Sequence, residues 1–210
     1  MRLRSKNTAL PLLCYAAALI LWLIHGTLGI VSDAGARAQG KMEEQTLYAA
    51  DFALVDLQPG GTGEGPQTLQ TTSGDPQMIL EDVSGQTIRT MQVYAEYEGD
   101  AREMCLYYTA KAGQDYSQDR RVFPAVQSDG SYLYTLPRGA LVSLRLDPCS
   151  PDANKTVEIT LEKITLNTAT SAVGELIPSW YQLFCLILYP GLLAAALDWL
   201  LAIIQTVKNK

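Results

Sequence analysis

The chain is short of the groups on which most enzymatic chemistry depends. It has a single histidine, His25. That residue lies inside an apolar run, which excludes a Ser-His-Asp or Cys-His arrangement in the polar part of the chain. The four cysteines form no cluster with zinc-site spacing. The glycine-rich stretch GGTGEG (60–65) does not join a strand to a helix, so it reads as a flexible turn rather than a phosphate cradle. Tryptophan is missing from residues 32–176, because Trp22, Trp180 and Trp199 all fall at the two ends. What remains for recognition chemistry is tyrosine, carboxylate and arginine.

The apolar residues gather into two terminal runs. ALPLLCYAAALILWLIHGTLGIV (9–31) carries no group charged at neutral pH apart from the titratable His25. As a helix it spans roughly 35 Å, enough for a ~30 Å hydrocarbon core. The second run, 177–207, is interrupted only by Asp198. Arg2, Arg4 and Lys6 precede the first run, and Lys208 and Lys210 follow the second. The positive-inside rule then puts both ends in the cytoplasm and residues 32–176 across the cell membrane. A basic start, an apolar run and Ala36-Arg37-Ala38 also fit a cleaved signal peptide, but the length of the run favours a retained anchor.

The expected organisation is a basic cytoplasmic end (1–8), a transmembrane helix (9–31), a linker (32–43), an extracytoplasmic domain (44–167), a tether (168–176) and a second transmembrane helix (177–207). A kink is expected at Pro190-Gly191. Asp198 lies about 27 Å along that helix from Trp180, near the inner interface, where it snorkels in preference to pairing with a partner subunit.

Residues 32–176 carry 11 of the 16 basic and 21 of the 22 acidic residues, a charge of about −10. So acidic a domain is a poor partner for nucleic acid or for an anionic lipid surface. No cofactor is expected. The acidic loops allow calcium, although no 12-residue calcium loop is present. Asn154-Lys155-Thr156 matches the glycosylation sequon. Cys14 and Cys185 lie in the apolar runs as small apolar residues. Cys105 and Cys149 lie outside them, and two readings stand for this pair: a disulfide, or two buried thiols.

Between the apolar runs the hydrophobic pattern has period two. Strands are expected near 46–57, 77–83, 87–97, 103–110, 120–126, 131–136, 141–147 and 155–166, separated by turn residues such as Asp129-Gly130. In the last strand Val157, Ile159 and Leu161 share one face while Ile164 and Leu166 have the other parity, so a bulge is expected near 161–163. The fold class is all-β: an antiparallel β-sandwich or jelly roll flanked by an N-terminal and a C-terminal transmembrane helix.

The combination of DPQMIL (75–80), YSQDRRVFPAV (116–126), the hairpin into SYLYTLP (131–137), LRLDP (144–148) and VEITLEKITL (157–166) resembles a jelly-roll domain. That domain is similar to carbohydrate-binding modules and is found on the outer side of bacterial membrane proteins that assemble cell-envelope polysaccharides, often attached to membrane glycosyltransferases. The resemblance covers residues 44–167 and its motifs are structural, so no transferase activity is carried over. It implies a non-catalytic accessory protein of surface-polysaccharide synthesis or export, binding glycan or a partner glycosyltransferase. The alternative is an interaction or adhesion module without a sugar ligand, and a hydrolase stands behind both.

The candidate ligand contacts are Tyr107, Tyr132 and Tyr134, with Arg145 and Asp147 on the polar face of LVSLRLDP. The bland role for the tyrosines is core or sheet surface. For Arg145 and Asp147 it is a brace where the strand ends at Pro148, and that role is favoured.

Overall fold

The computed structural model describes residues 9–60, 66–152, 155–169 and 176–208. Asn154 of the sequon and residues 61–65 of the glycine-rich turn lie outside the described residues. The chain divides into two compact units, Met1–Ser32 with Thr170–Lys210, and Asp33–Ala169.

Two helices, α1 (Ala9–Ala38) and α2 (Trp180–Lys208), are each long and apolar enough to cross a membrane. α1 runs on through much of the segment expected to be linker, because Ala34, Ala36 and Ala38 favour a helix and offset Gly35, and no proline interrupts it. It stops where Gly40 takes a φ of 67°. Gly40 N–H then bonds to the Arg37 carbonyl and Lys41 N–H to that of Ala36, the paired closure that a left-handed residue permits. α2 begins with a reciprocal cap: Gln182 N–H donates to Ser179 Oγ and Ser179 N–H to Gln182 Oε1. Pro190 removes an N–H from the α2 ladder, and the Tyr15 hydroxyl donates to the nearby Ile187 carbonyl at 2.9 Å. A Cβ added at Gly191 would stand 3.0 Å from that hydroxyl. Asp198 is exposed on α2.

The unit Asp33–Ala169 is a β-sandwich. Its described strands are β1 (Gln45–Leu47), β2 (Ala53–Val55), β3 (Leu57–Pro59), β4 (Gln67–Thr71), β5 (Gln77–Leu80), β6 (Thr90–Glu98), β7 (Cys105–Thr109), β8 (Arg121–Val122), β9 (Ala125–Val126), β10 (Tyr132–Thr135), β11 (Ser143–Asp147) and β12 (Glu158–Leu166). One sheet runs β3-β4-β12-β6-β10-β9, with β1 also on β12; the other runs β2-β5-β11-β7-β8. Every pairing is antiparallel. Leu69, Met91, Ile159, Ile164 and Leu166 of the first sheet meet Met78, Leu106, Leu144 and Leu146 of the second, all almost fully buried. The register of β12 against β6 slips between Leu161 and Lys163. This bulge turns Ile164 and Leu166 back to the core, as their parity requires.

Two expected elements differ, and one strand is additional. The run 46–57 is cut into β1, β2 and β3, which go to both sheets. The run 120–126 splits at Phe123-Pro124, so β8 ends one sheet and β9 the other; Pro124 has no N–H to continue a ladder. β4 was not expected at all. Its buried side chains are Gln67, Leu69 and Thr71, so only one apolar residue marks its inner face.

Two polar clusters complete this unit. Asp33 in α1 accepts hydrogen bonds from Arg89 (Nε, 3.4 Å) and Arg138 (Nη2, 2.8 Å), and Arg89 also reaches the Leu136 carbonyl. Asn167 is wholly buried with a φ of 55°. Its amide donates to the carbonyls of Glu43 and Thr87 and its Oδ1 accepts from Arg89 N–H. Asparagine tolerates that left-handed backbone better than a branched residue would.

Candidate functional site

β11 is the central strand of the five-stranded sheet, with β5 on one side and β7 on the other. Because side chains alternate, Leu144 and Leu146 enter the core while Ser143, Arg145 and Asp147 take the outer face. The register then aligns one outer row, Ile79–Arg145–Tyr107–Arg121, across β5, β11, β7 and β8. Asp147 faces Cys105 in the next outer row.

Above this face lies an open cleft of about 410 Å³ lined by Asp75, Glu103, Cys105, Tyr107, Tyr116, Arg121, Arg145 and Asp147, among others. Arg145 organises it. Its Nε and Nη2 donate to the two oxygens of Asp147 at 2.7 and 2.8 Å, and Nη2 also donates to Asp75 at 3.0 Å. The guanidinium carbon stands 5.2 Å from the Tyr107 ring centre and 5.9 Å from that of Tyr116, within cation–π range of both. The Tyr116 hydroxyl donates to Ser143 Oγ at 3.0 Å, which ties the 110s loop to β11. Arg121 stacks on Phe123 at 4.5 Å and approaches Glu103 at 3.4 Å.

The Arg145–Asp147 pair is electrostatically lopsided. Burial raises the Asp147 carboxyl above its ordinary range, and the repulsion of Asp75 adds to this, so that Arg145 does not bring it back down. Arg145 loses to burial too, but Asp147 and Asp75 together outweigh that loss and hold its pKa above the usual value. The difference has a physical source: Arg145 has two carboxylates, whereas the more buried Asp147 has one guanidinium and a like charge nearby.

Cys105 and Cys149 are free thiols, both buried. The expected alternative of a bridge is not what the fold makes. Cys105 sits opposite Asp147 and donates to its Oδ2 at 3.9 Å, while Cys149, beyond Pro148, belongs to the core. Burial pushes the Cys105 thiol up, and it pushes Cys149 up to about 12, with the charge of Asp147 adding to both. Neither is a thiolate nucleophile near neutral pH.

Of the five expected contacts, the cleft unites Tyr107, Arg145 and Asp147. Tyr132 and Tyr134 belong to β10 of the other sheet and face inward. Tyr134 is 1% exposed in the core, and Tyr132 packs edge-on against Tyr97 with ring centres 5.8 Å apart. They form no platform, because β10 turns that face of the pleat toward the core. Asp75, Glu103, Tyr116 and Arg121 were not singled out. They come from three separate segments, which strand pairing and the Tyr116–Ser143 hydrogen bond bring together. For calcium, among the described residues no group of three or more His, Cys, Asp or Glu side chains is placed to hold a metal ion.

No protein-family model and no curated protein matches the chain. Solved structures of carbohydrate-binding modules are similar to it at low identity. The low-affinity xylan-binding module CBM86 from Roseburia intestinalis has a TM-score of 0.40 and 12% identity, covering 59% of this chain and 94% of the module. A β-1,3-glucan-binding CBM6 from Bacillus halodurans has a TM-score of 0.40 and 9% identity, covering 61% and 97%. The CsCBM6-3 module of Clostridium stercorarium, solved with cellobiose, has a TM-score of 0.39 and 8% identity, covering 60% and 94%.

Proposed function

We propose that this chain is a membrane-anchored, non-catalytic glycan-binding protein whose sandwich is displayed on the outer side of the membrane. The observation that carries the reading is the Arg145 cluster: a guanidinium fixed by Asp147 and Asp75, beside the rings of Tyr107 and Tyr116, in an open cleft. Sugar recognition needs such a set. Aromatic faces cover the apolar C–H side of a sugar ring, and fixed charged groups bond its hydroxyls with little ordering cost. The raised thiols and the position of His25 in α1 leave the cleft without a thiolate–imidazole pair, and Asp147 and Asp75 are engaged by Arg145, which supports the non-catalytic reading. Within this reading, a role beside a membrane glycosyltransferase in cell-surface polysaccharide synthesis or export rests on the sequence resemblance.

The test is saccharide binding by the full chain in detergent micelles, on a glycan array and then by calorimetry. Binding is expected, and Tyr107→Ala and Arg145→Ala should each weaken it at least about tenfold, the scale of a central contact. A folded chain that binds no saccharide, or variants that bind like the parent, would overturn the proposal.

A further inference from the structure

Granted that the cleft binds glycan, its charges narrow the class. Two guanidinium groups, Arg121 and Arg145, share it with three carboxylates, Asp75, Glu103 and Asp147. Neither arginine has charge to spare. Arg145 is matched by Asp147 and Asp75, and Arg121 is matched by Glu103. An incoming carboxylate would therefore meet a negative surplus, inside a segment (32–176) of about −10.

The carboxylates are not equally committed. Asp147 has both oxygens on Arg145, and one of them also accepts from Cys105. Asp75 gives Oδ1 to Arg145 and Oδ2 to the Gln77 amide at 2.8 Å. Glu103 meets Arg121 at 3.4 Å as an ion contact, without a hydrogen bond from a described residue, and its side chain is 54% exposed. The cleft thus holds one carboxylate, Glu103, that is more exposed and less engaged than the other two.

We propose that the cleft selects saccharides bearing a free, protonated amine, that is, de-N-acetylated hexosamines, over their N-acetylated forms and over uronic-acid sugars, with Glu103 receiving the ammonium group. The amine supplies the positive charge that the three-to-two balance leaves unmet. An acetamide has no charge, and a uronate has the wrong one.

Full-length protein in detergent should be titrated at mildly acidic pH with tetramers of glucosamine, N-acetylglucosamine and galacturonic acid. The glucosamine tetramer is expected to bind roughly two- to fivefold more tightly than the N-acetylated one, the range of a partly exposed charge pair. That advantage should shrink as salt rises toward about 1 M, where screening acts within about 3 Å. Glu103→Gln, checked for an unchanged melting temperature, should remove the advantage by lowering the affinity for the glucosamine tetramer more than that for the N-acetylated one. Equal affinities, a preference for galacturonate, no binding to any of the three tetramers, or an advantage that survives Glu103→Gln would overturn amine selection. Glycan binding itself would still stand if other saccharides bind. No saccharide binding at all would overturn both proposals.

Discussion

Arg145 and Asp147, two residues apart on one strand, hold each other through a pair of hydrogen bonds of 2.7 and 2.8 Å on the outer face of the central strand. The pair is a brace and part of the cleft at once. Asp147 fixes the guanidinium that Tyr107 and Tyr116 flank, so removing it acts on both. Asp147→Ala is expected to lower stability by about 1–3 kcal/mol, because a half-buried guanidinium loses one of two carboxylates. Saccharide affinity should fall with it. Chemical denaturation and calorimetry check this; affinity unchanged in a destabilised variant would make the pair a brace only.

Asn167 is expected to be the costliest single polar side chain in the sandwich. Asn167→Ala leaves the Arg89 N–H and two carbonyls without their partners and puts a Cβ residue without a compensating bond at a φ of 55°. A loss of about 3 kcal/mol or more is expected. Asn167→Gly, which relieves only the backbone, should lose less. Equal losses would mean that the hydrogen bonds alone carry the effect.

The tyrosines of the two sheets should separate by phenotype. Tyr134→Ala empties a fully buried site and should cost about 3–5 kcal/mol. Tyr107→Ala lies on the outer face and should cost about 1 kcal/mol or less while weakening saccharide binding. Melting curves beside binding isotherms distinguish them.

Cys105 and Cys149 should resist alkylation in the native state. In a Cys14→Ala, Cys185→Ala background, iodoacetamide labelling of Cys149 near pH 8 should be slower than in the unfolded chain by roughly three orders of magnitude. A thiol whose folded pKa is raised contributes stability that is complete below the ordinary thiol range. That contribution is lost as pH rises toward the folded value of about 12. The pH window for Cys149 is therefore alkaline. Rapid labelling of the folded protein would show that the site opens.

The sequence by itself determined the parts that repeat locally. Two long apolar runs specify helices, because length and hydropathy need no partner to be read. Period-two alternation specifies strands and, through the change of parity between Leu161 and Ile164, even the bulge in β12. The same alternation separated Leu144 and Leu146 from Arg145 and Asp147. Tertiary structure decided the rest. β4 stayed hidden because Gln67 and Thr71 are buried polar side chains, whose burial depends on neighbouring strands. The helical stretch 33–38 looked like linker because its anchor is the ion pairing of Asp33 with Arg89 and Arg138, distant in sequence. Tyr134 and Tyr107 are equivalent as letters. One is core and the other lines a cleft only because β10 turns that face of the pleat inward while β7 turns Tyr107 outward. The cleft combines Asp75, Glu103, Tyr107, Tyr116, Arg121 and Arg145, which share no local pattern. Antiparallel pairing of β5, β11, β7 and β8 places them together, and that register is set by burying the opposite face of the sheet.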